Sequence, residues 1–300
     1  MKVLAAVVTY SRSQLLARCV DHLRAQTRPP DGIIVINNSS TDDTEEMLRA
    51  RGVDFITQPN LGGAGGFNRA IRHALEEGYD AVWLMDDDGY PGDGALERLV
   101  ARLGPGVACA SSVVLREDDP AHFVFPFPVL DAKGYPAILA WPRKLTALEQ
   151  LKRRASGGTY PWAHFFNGCL LSMAAVRATG NVETGYFIAG DEVDYFMRLR
   201  RAGRIVSDVE AHHYHPDVAR RPLNDVKLYY YVKNTLILNR RYFNRAALRN
   251  VLAVGVVLAR TAARNGIGTA LSFAVGRQSA VLRKAIARGL RGQVGNDFNA

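Results

Sequence analysis

The first hundred residues switch repeatedly between two hydrophobic periods, and this limits the fold more than any other feature. The runs KVLAAVVTY, GIIVINN, VDFITQ and DAVWLMDD read as strands. Between them QLLARCVDHLRAQ, TDDTEEMLRARG and GGFNRAIRHALEEG read as helices, the first with Leu15, Leu16, Cys19, Val20 and Leu23 on one face. Most of these strand runs are apolar throughout, as expected of strands buried on both faces. Strand–helix alternation of this kind predicts an α/β fold with a mostly parallel central sheet and helices on both faces. Such sheets bind ligands beyond the carboxyl ends of their strands. Here those ends read TYSR, NNSSTDD, QPNLGG and DDD, all polar.

A proline-rich stretch from about Arg116 to Pro161 interrupts the pattern and reads as a long, partly structured insertion. FNGCLLSM then predicts a strand, EVDYFMRLRRAG a helix and RIVSDVEAHHYH a strand or edge segment. After Pro222 the chain turns helical. The expected organisation is a domain over 1–222, with halves at about 1–115 and 116–222, and a helical region over 223–300. At 300 residues with 48% apolar side chains, the chain can bury a sizeable core. Cys19, Cys109 and Cys169 form no CxxC pair and read as small core residues. The start of the chain reads as a first strand rather than a signal peptide, and no apolar run reaches the ~18 residues that span a bilayer.

The net charge of +9 is unevenly placed. Residues 226–300 hold thirteen Lys or Arg and one acid, Asp297, whereas the rest of the chain is slightly acidic. An anionic partner for the tail is expected, a membrane surface or nucleic acid. Arg277, Lys284, Arg288 and Arg291 fall within an arc of about 60°, opposite Leu282, Ile286 and Leu290. That is the pattern of a basic helix lying in a membrane interface. The alternative is a helix packed on the rest of the protein with a solvated basic face.

Four motifs carry chemistry. In WLMDDDGYPG, Asp86 and Asp88 stand at i and i+2 at a strand end, where two carboxylates share a side. They suit Mg²⁺ or Mn²⁺ completed by substrate phosphate oxygens, against the bland reading of a solvated acidic turn. NLGGAGGFNRA is a Gly-rich turn entering a helix that carries Arg69, and such a turn admits a phosphate. It matches neither GxGxxG nor a P-loop. GDEVDYFMRLRRAG puts Asp191 and Glu192 at a helix start, as caps or as a general base. AHHYHP supplies His212, His213 and His215, with His213 and His215 on one side of a strand. Each reads as a core histidine or a metal ligand.

Taken in order, VVTYSR, VINNSSTDDT, NLGGAGGFNR, WLMDDD, FNG, GDEVDYFMRLRRAG with its histidine cluster, and YYYVKN resemble the family 2 glycosyltransferases of GT-A fold. The resemblance covers about residues 3–215 and is nearest to the galactofuranosyltransferase and rhamnosyltransferase branch. It implies a Rossmann-like GT-A domain and an inverting, metal-dependent transfer from a UDP- or dTDP-linked sugar to a glycan or polyprenyl-diphosphate-linked glycan. Thr9, Tyr10, Arg12 and Asn37 would bind the nucleotide, Asn37 standing where the family usually has an acid. Asn60, Gly63 and Arg69 would approach the diphosphate or sugar, with Asp87 near the ribose or donor sugar. Asp86, Asp88 and His213 would hold Mn²⁺ or Mg²⁺. Glu192 would be the base, with Asp191 as the alternative, and Trp162, Asn167 and Gly168 would meet the acceptor. The implied location is the cytoplasmic face of the cell membrane, bound peripherally to an anionic surface, with no role for nucleic acid. The rival readings are a metal-dependent nucleotidyltransferase and a non-enzymatic adaptor acting through its basic tail. The second leaves both acidic clusters unexplained.

Overall fold

The computed structural model describes residues 1–218 and 222–298. In chain order the elements are β1 (Val3–Thr9), α1 (Ser13–Arg24), β2 (Gly32–Asn37), α2 (Thr44–Ala50), β3 (Asp54–Thr57), α3 (Gly62–Glu76), β4 (Ala81–Asp86), β5 (Tyr90–Pro91), α4 (Ala95–Arg102) and β6 (Val107–Arg116). The expected insertion holds β7 (His122–Pro128), β8 (Lys144–Ala147), α5 (Leu148–Lys152) and β9 (Thr159–Tyr160). Then come β10 (Asn167–Ser172), α6 (Met173–Thr179), α7 (Asp191–Leu199), β11 (Arg204–His215), α8 (Asp225–Tyr242), α9 (Ala246–Asn265), α10 (Ile267–Ala274) and α11 (Ser279–Arg291).

By internal contacts the chain forms two units. The first comprises 1–182 with 195–217, and the second comprises 183–194 with the chain from 218 onward. The expected boundary at 222 left the segment 183–194 in the first domain, whereas it clusters with the C-terminal helices.

The first unit is built on one sheet, ordered β3-β2-β1-β4-β10-β6-β11-β5. Strands β1, β2, β3 and β4 are mutually parallel, with Thr9 beside Asn37 and Val8 beside Asp86. Their carboxyl ends therefore share one rim. β10 enters antiparallel between β4 and β6, and β6 pairs parallel with β11. β1 is buried along its whole length, as its unbroken apolar run requires. Trp83 and Met85 of β4 join Leu16, Cys19 and Leu23 of α1 in the core. All three cysteines are buried and free of disulfides.

The Gly-rich motif differs from the expected turn. α3 begins at Gly62, so Gly65 and Gly66 lie inside the helix. Helical glycine costs about 1 kcal/mol against alanine, so it needs a packing reason. A Cβ on Gly66 would lie 2.4 Å from Val8 Cγ1, and one on Gly65 would lie 2.3 Å from Leu61 Cβ. Gly66 thus lets α3 start hard against β1, and Gly65 leaves room for Leu61 at the helix start.

The second unit packs α8 with the helices that follow, around Tyr229, Tyr230, Leu236, Phe273 and Leu282. α11 answers the expectation of a membrane-lying helix in favour of its alternative. Leu282 and Ala285 are buried in this cluster with Ile286 packed against it, Leu290 alone of the apolar arc being exposed, and a Cβ on Gly289 would meet Lys233 O of α8 at 2.8 Å. Lys233 itself is fully buried. Its Nζ donates to Asp297 Oδ2 (2.6 Å) and to Gly295 O (2.7 Å), and Arg288 and the Tyr229 hydroxyl also reach Asp297. By length and composition α9, 20 residues long, is apolar enough to cross a membrane, with a mean hydropathy of 1.4 over an 18-residue stretch. Arg249, Asn250 and Arg260 interrupt it, so it is a long apolar helix and not an unbroken apolar run.

Replacing Gly66 by Val should force α3 away from β1. Overpacking of this kind costs about 1–3 kcal/mol, readable as a lower urea midpoint with unchanged slope. Wild-type stability in that variant would refute the close approach.

Candidate active site at the carboxyl ends of β1 and β4

The site grows from the parallel pairing of β1 with β4. Because Val8 stands beside Asp86, the residues leaving both strands emerge together. Asp87 is buried and is the hub. It accepts from Thr9 Oγ1 (2.7 Å), from the Tyr10 backbone N–H (3.4 Å) and from Arg12 Nη1 (3.0 Å). Burial pushes the Asp87 carboxyl above its ordinary range, while the Thr9 bond and the Arg12 charge pull against that rise. Arg12 Nη1 also lies 2.9 Å from Asp88 Oδ2. One guanidinium therefore screens two adjacent carboxylates, and their repulsion is already offset in the protein alone.

Asp88 has a second partner. Its Oδ1 lies 3.0 Å from His215 Nε2, both side chains being nearly inaccessible. His215 Nδ1 lies 2.7 Å from Pro216 O. A carbonyl oxygen only accepts, so Nδ1 carries the hydrogen and the Nε2 lone pair faces the carboxylate. Two acceptors at this distance require a proton or a cation between them. Adjacent ligands of one octahedral ion, each at about 2.1 Å, also stand about 3 Å apart. Asp88 and His215 could share such an ion as a pair, although among the described residues no group of three or more His, Cys, Asp or Glu side chains is arranged to hold one.

The expected ligand was His213, and its position differs. His213 is fully buried, and neither ring nitrogen has a partner among the described residues. Its ring occupies the space left by Gly89 and Gly168, whose Cβ atoms would lie 2.3 Å from Nε2 and 3.1 Å from Nδ1. Burial lowers its pKa to about 3, which keeps it neutral. Both histidines point the same way, but His215 stands two residues further toward the rim, about 6.6 Å along the strand. His212 turns the other way and approaches Val209 O at 3.3 Å.

A cavity of about 250 Å³ opens beside the acidic tip. Val8, Thr9, Tyr10, Arg12, Asn38, Asn60, Gly62, Gly63, Asp86 and Asp87 line it. It thus gathers Thr9, Tyr10, Arg12, Asn60, Gly63, Asp86 and Asp87 of the expected set. α3 starts at this cavity, and the free N–H groups of a helix start favour negative charge.

Three expected residues stand elsewhere. Asn37 is fully buried; its amide donates to Glu45 and Thr57 and accepts from the Ser40 N–H. Asn38, missed in the sequence, takes the place on the cavity wall. A shift of one residue at a strand end reverses the side-chain direction. Arg69 is half-buried on α3, away from the lining. Trp162 is a core residue, its ring 4.4 Å from that of Phe196.

Asn167 and Gly168 open β10, where Asn167 stands opposite Met85. Phe166, the first residue of the FNG motif but given no role there, holds a left-handed backbone (φ 67°) and accepts from the Asp86 N–H at 3.0 Å. Strain of this kind concentrates at functional sites. The FNG motif marks the segment, though not the left-handed turn at its first residue.

Asp191 and Glu192 open α7 and belong to the second unit. Burial, then the Glu192 charge, raises the Asp191 carboxyl to about 7. Nearby in that unit, Asp194 is buried and accepts from the Tyr242 hydroxyl at 2.6 Å.

Residues 5–143 match the family model "Glycosyl transferase family 2". Galactofuranosyltransferase GlfT1 of Mycobacterium tuberculosis is 37% identical over 215 residues, covering 67% of this chain and 65% of the relative. The N-acetylglucosaminyl-diphospho-decaprenol L-rhamnosyltransferase of the same organism is 28% identical over 216 residues, covering 65% and 69%. This chain thus spans about 65% of the length of the galactofuranosyltransferase it matches. Among solved structures, S. aureus TarS 1–349 with UDP-GlcNAc superposes with a TM-score of 0.57 at 14% identity, covering 97% of this chain and 81% of that one. The mannosyltransferase PcManGT of Pyrobaculum calidifontis, with GDP-Man and Mn²⁺, superposes with a TM-score of 0.53 at 16% identity, covering 96% and 87%. The expected GT-A architecture is borne out in these likenesses.

Thr9→Val should strip Asp87 of its shortest hydrogen bond while keeping the side-chain shape. Loss of one partner of a buried acceptor costs about 1–3 kcal/mol, measurable by urea denaturation. A change under a few tenths would remove Asp87 from its place as hub.

Proposed function

We propose that this chain, whose residues 5–143 match the family model "Glycosyl transferase family 2", acts as a member of that family and moves a sugar from a nucleotide diphosphate sugar to a glycan hydroxyl in cell-surface polysaccharide synthesis. The observation that carries this reading is the Asp88–His215 pair, 3.0 Å apart, beside the cavity at the ends of β1 and β4. Galactofuranose is the favoured sugar, after the 37% identical relative, and rhamnose is the alternative. The favoured acceptor is a polyprenyl-diphosphate-linked glycan at the cytoplasmic face of an anionic membrane.

The roles follow from the residues. Tyr10 and Asn38 on the cavity wall offer a ring and an amide to a nucleotide base or ribose. The start of α3, with Gly62 and Gly63, receives the diphosphate. Asp88 and His215, helped by Asp86, would hold Mn²⁺ or Mg²⁺, which when bound supplies positive charge against the leaving diphosphate. Arg12 then keeps Asp87 in place and adds charge beside that group. The acidic doublet supplies the base. Glu192 takes the proton of the acceptor hydroxyl, which attacks the anomeric carbon from the face opposite the leaving diphosphate, with inversion. General base action contributes typically about 10²–10⁴-fold.

Two experiments test the reading. Calorimetry of UDP-galactofuranose and dTDP-rhamnose, with and without Mn²⁺, should show metal-dependent binding of one donor. Asp88→Asn and His215→Ala should each weaken it at least tenfold, whereas His213→Ala should leave the metal dependence intact. Full turnover in excess chelator would sink the metal assignment. Separately, Glu192→Gln should lower transfer about 10²–10⁴-fold with donor binding retained. If Asp191→Asn gives that loss instead, the base is Asp191. The wild-type rate should then rise with pH through about 7, as its carboxyl ionises.

A further inference from the structure

The C-terminal helices present a surface that glycosyl transfer does not use. α9 packs on its own unit through Val254, Val257, Leu258 and Thr261. Its other side is apolar yet uncovered. Leu248, Val251 and Val256 are exposed there, Val251 at 72%. At about 100° per residue they lie within one arc with Gly255 and Ala259, opposite the packed face. α10 repeats the arrangement. Ala270 and Phe273 are buried, while Ile267, Leu271 and the following Val275 form an i, i+4, i+8 stripe exposed at 71%, 57% and 81%. Side chains of this size exposed in succession are unfavourable in water and mark a contact surface.

Charge identifies the occupant. Between residues 226 and 296 there is no Asp or Glu. Arg245, Arg260 and Arg277 are exposed along the same stretch. Asp297, the acid that follows, is engaged by Lys233 and Arg288. A second copy of this chain would set arginines against arginines, which disfavours pairing. An apolar stripe with basic flanks and no acids matches acyl chains beneath anionic headgroups. Because one side of α9 is packed on protein and the other is bare, the helix suits lying in the interface rather than crossing it.

We propose that α9 and α10 dock this protein on an anionic bilayer, with Val251, Ile267, Leu271 and Val275 entering the acyl boundary. α11, whose basic arc first suggested the membrane, turns its apolar face to α8 instead. The docking surface rests on the proposed function only for the nature of the acceptor.

Sedimentation of the full chain with vesicles tests it. The wild type should partition to vesicles of 30% phosphatidylglycerol in phosphatidylcholine and much less to pure phosphatidylcholine. Val251→Glu, Leu271→Glu and Val275→Glu together should lower partition at least tenfold. These side chains are exposed, so the thermal midpoint should not move. Metal-dependent hydrolysis of the sugar nucleotide in solution should also match the wild type, so failure of the docking surface and failure of the glycosyltransferase reading are separable. Wild-type partition of the triple variant would overturn the proposal. So would equal binding to neutral vesicles that resists carbonate extraction, which would mean a crossing helix. Loss of self-association instead of vesicle binding, seen in sedimentation velocity, would assign the surface to a second copy.

Discussion

The carboxylate of Asp87 is the interaction on which the site depends. Two parallel strands end side by side, and without a tie their departing chains would be free to splay. Asp87 makes that tie by accepting from Thr9, Tyr10 and Arg12, all on the β1 side. The cost is a buried negative charge beside two others. Arg12 offsets it by reaching both Asp87 and Asp88. What remains is directional: Asp88 keeps one oxygen on His215, and Asp86 stays on the cavity wall. The middle carboxylate ties the strand ends together and still lines the cavity.

Much of this was legible in the sequence, because periodicity and burial are local. Unbroken apolar runs marked the parallel strands, and polar strand ends marked the rim. The structure departs from the expected placements where one or two residues of register decide. Asn37 and Asn38 are adjacent and alike, yet only the second leaves the sheet into the cavity. His213 and His215 share a face, and only position along β11 separates a core ring from one that reaches Asp88. The glycines of α3 suggested a phosphate turn, whereas Gly65 and Gly66 answer a steric demand of Leu61 and Val8. Val8, far along the chain, sets the demand on Gly66, and no local pattern reports that.

The C-terminal helices show the same limit with charge. Basic side chains on an arc of α11 read as a membrane face, but the opposite arc finds a partner in α8. The covered helix carries the more conspicuous pattern, and α9 and α10 carry the bare surface. Lys233 is the clearest case of context overriding type. A lysine is almost never fully buried unless paired. Asp297, far along the chain, supplies the pairing.

The division of the chain into interleaved units has a consequence for synthesis. Residues 183–194 lie between two stretches of the first unit but cluster with helices that start after 218. On a ribosome the acidic tip and its cavity can assemble once β11 has emerged. The Asp191–Glu192 doublet must wait, because Asn234, whose amide reaches Ala189 O and Phe187 O, is made later. A nascent chain can thus assemble the cavity at the ends of β1 and β4 before residues 183–194 meet the α8 side chain that holds them.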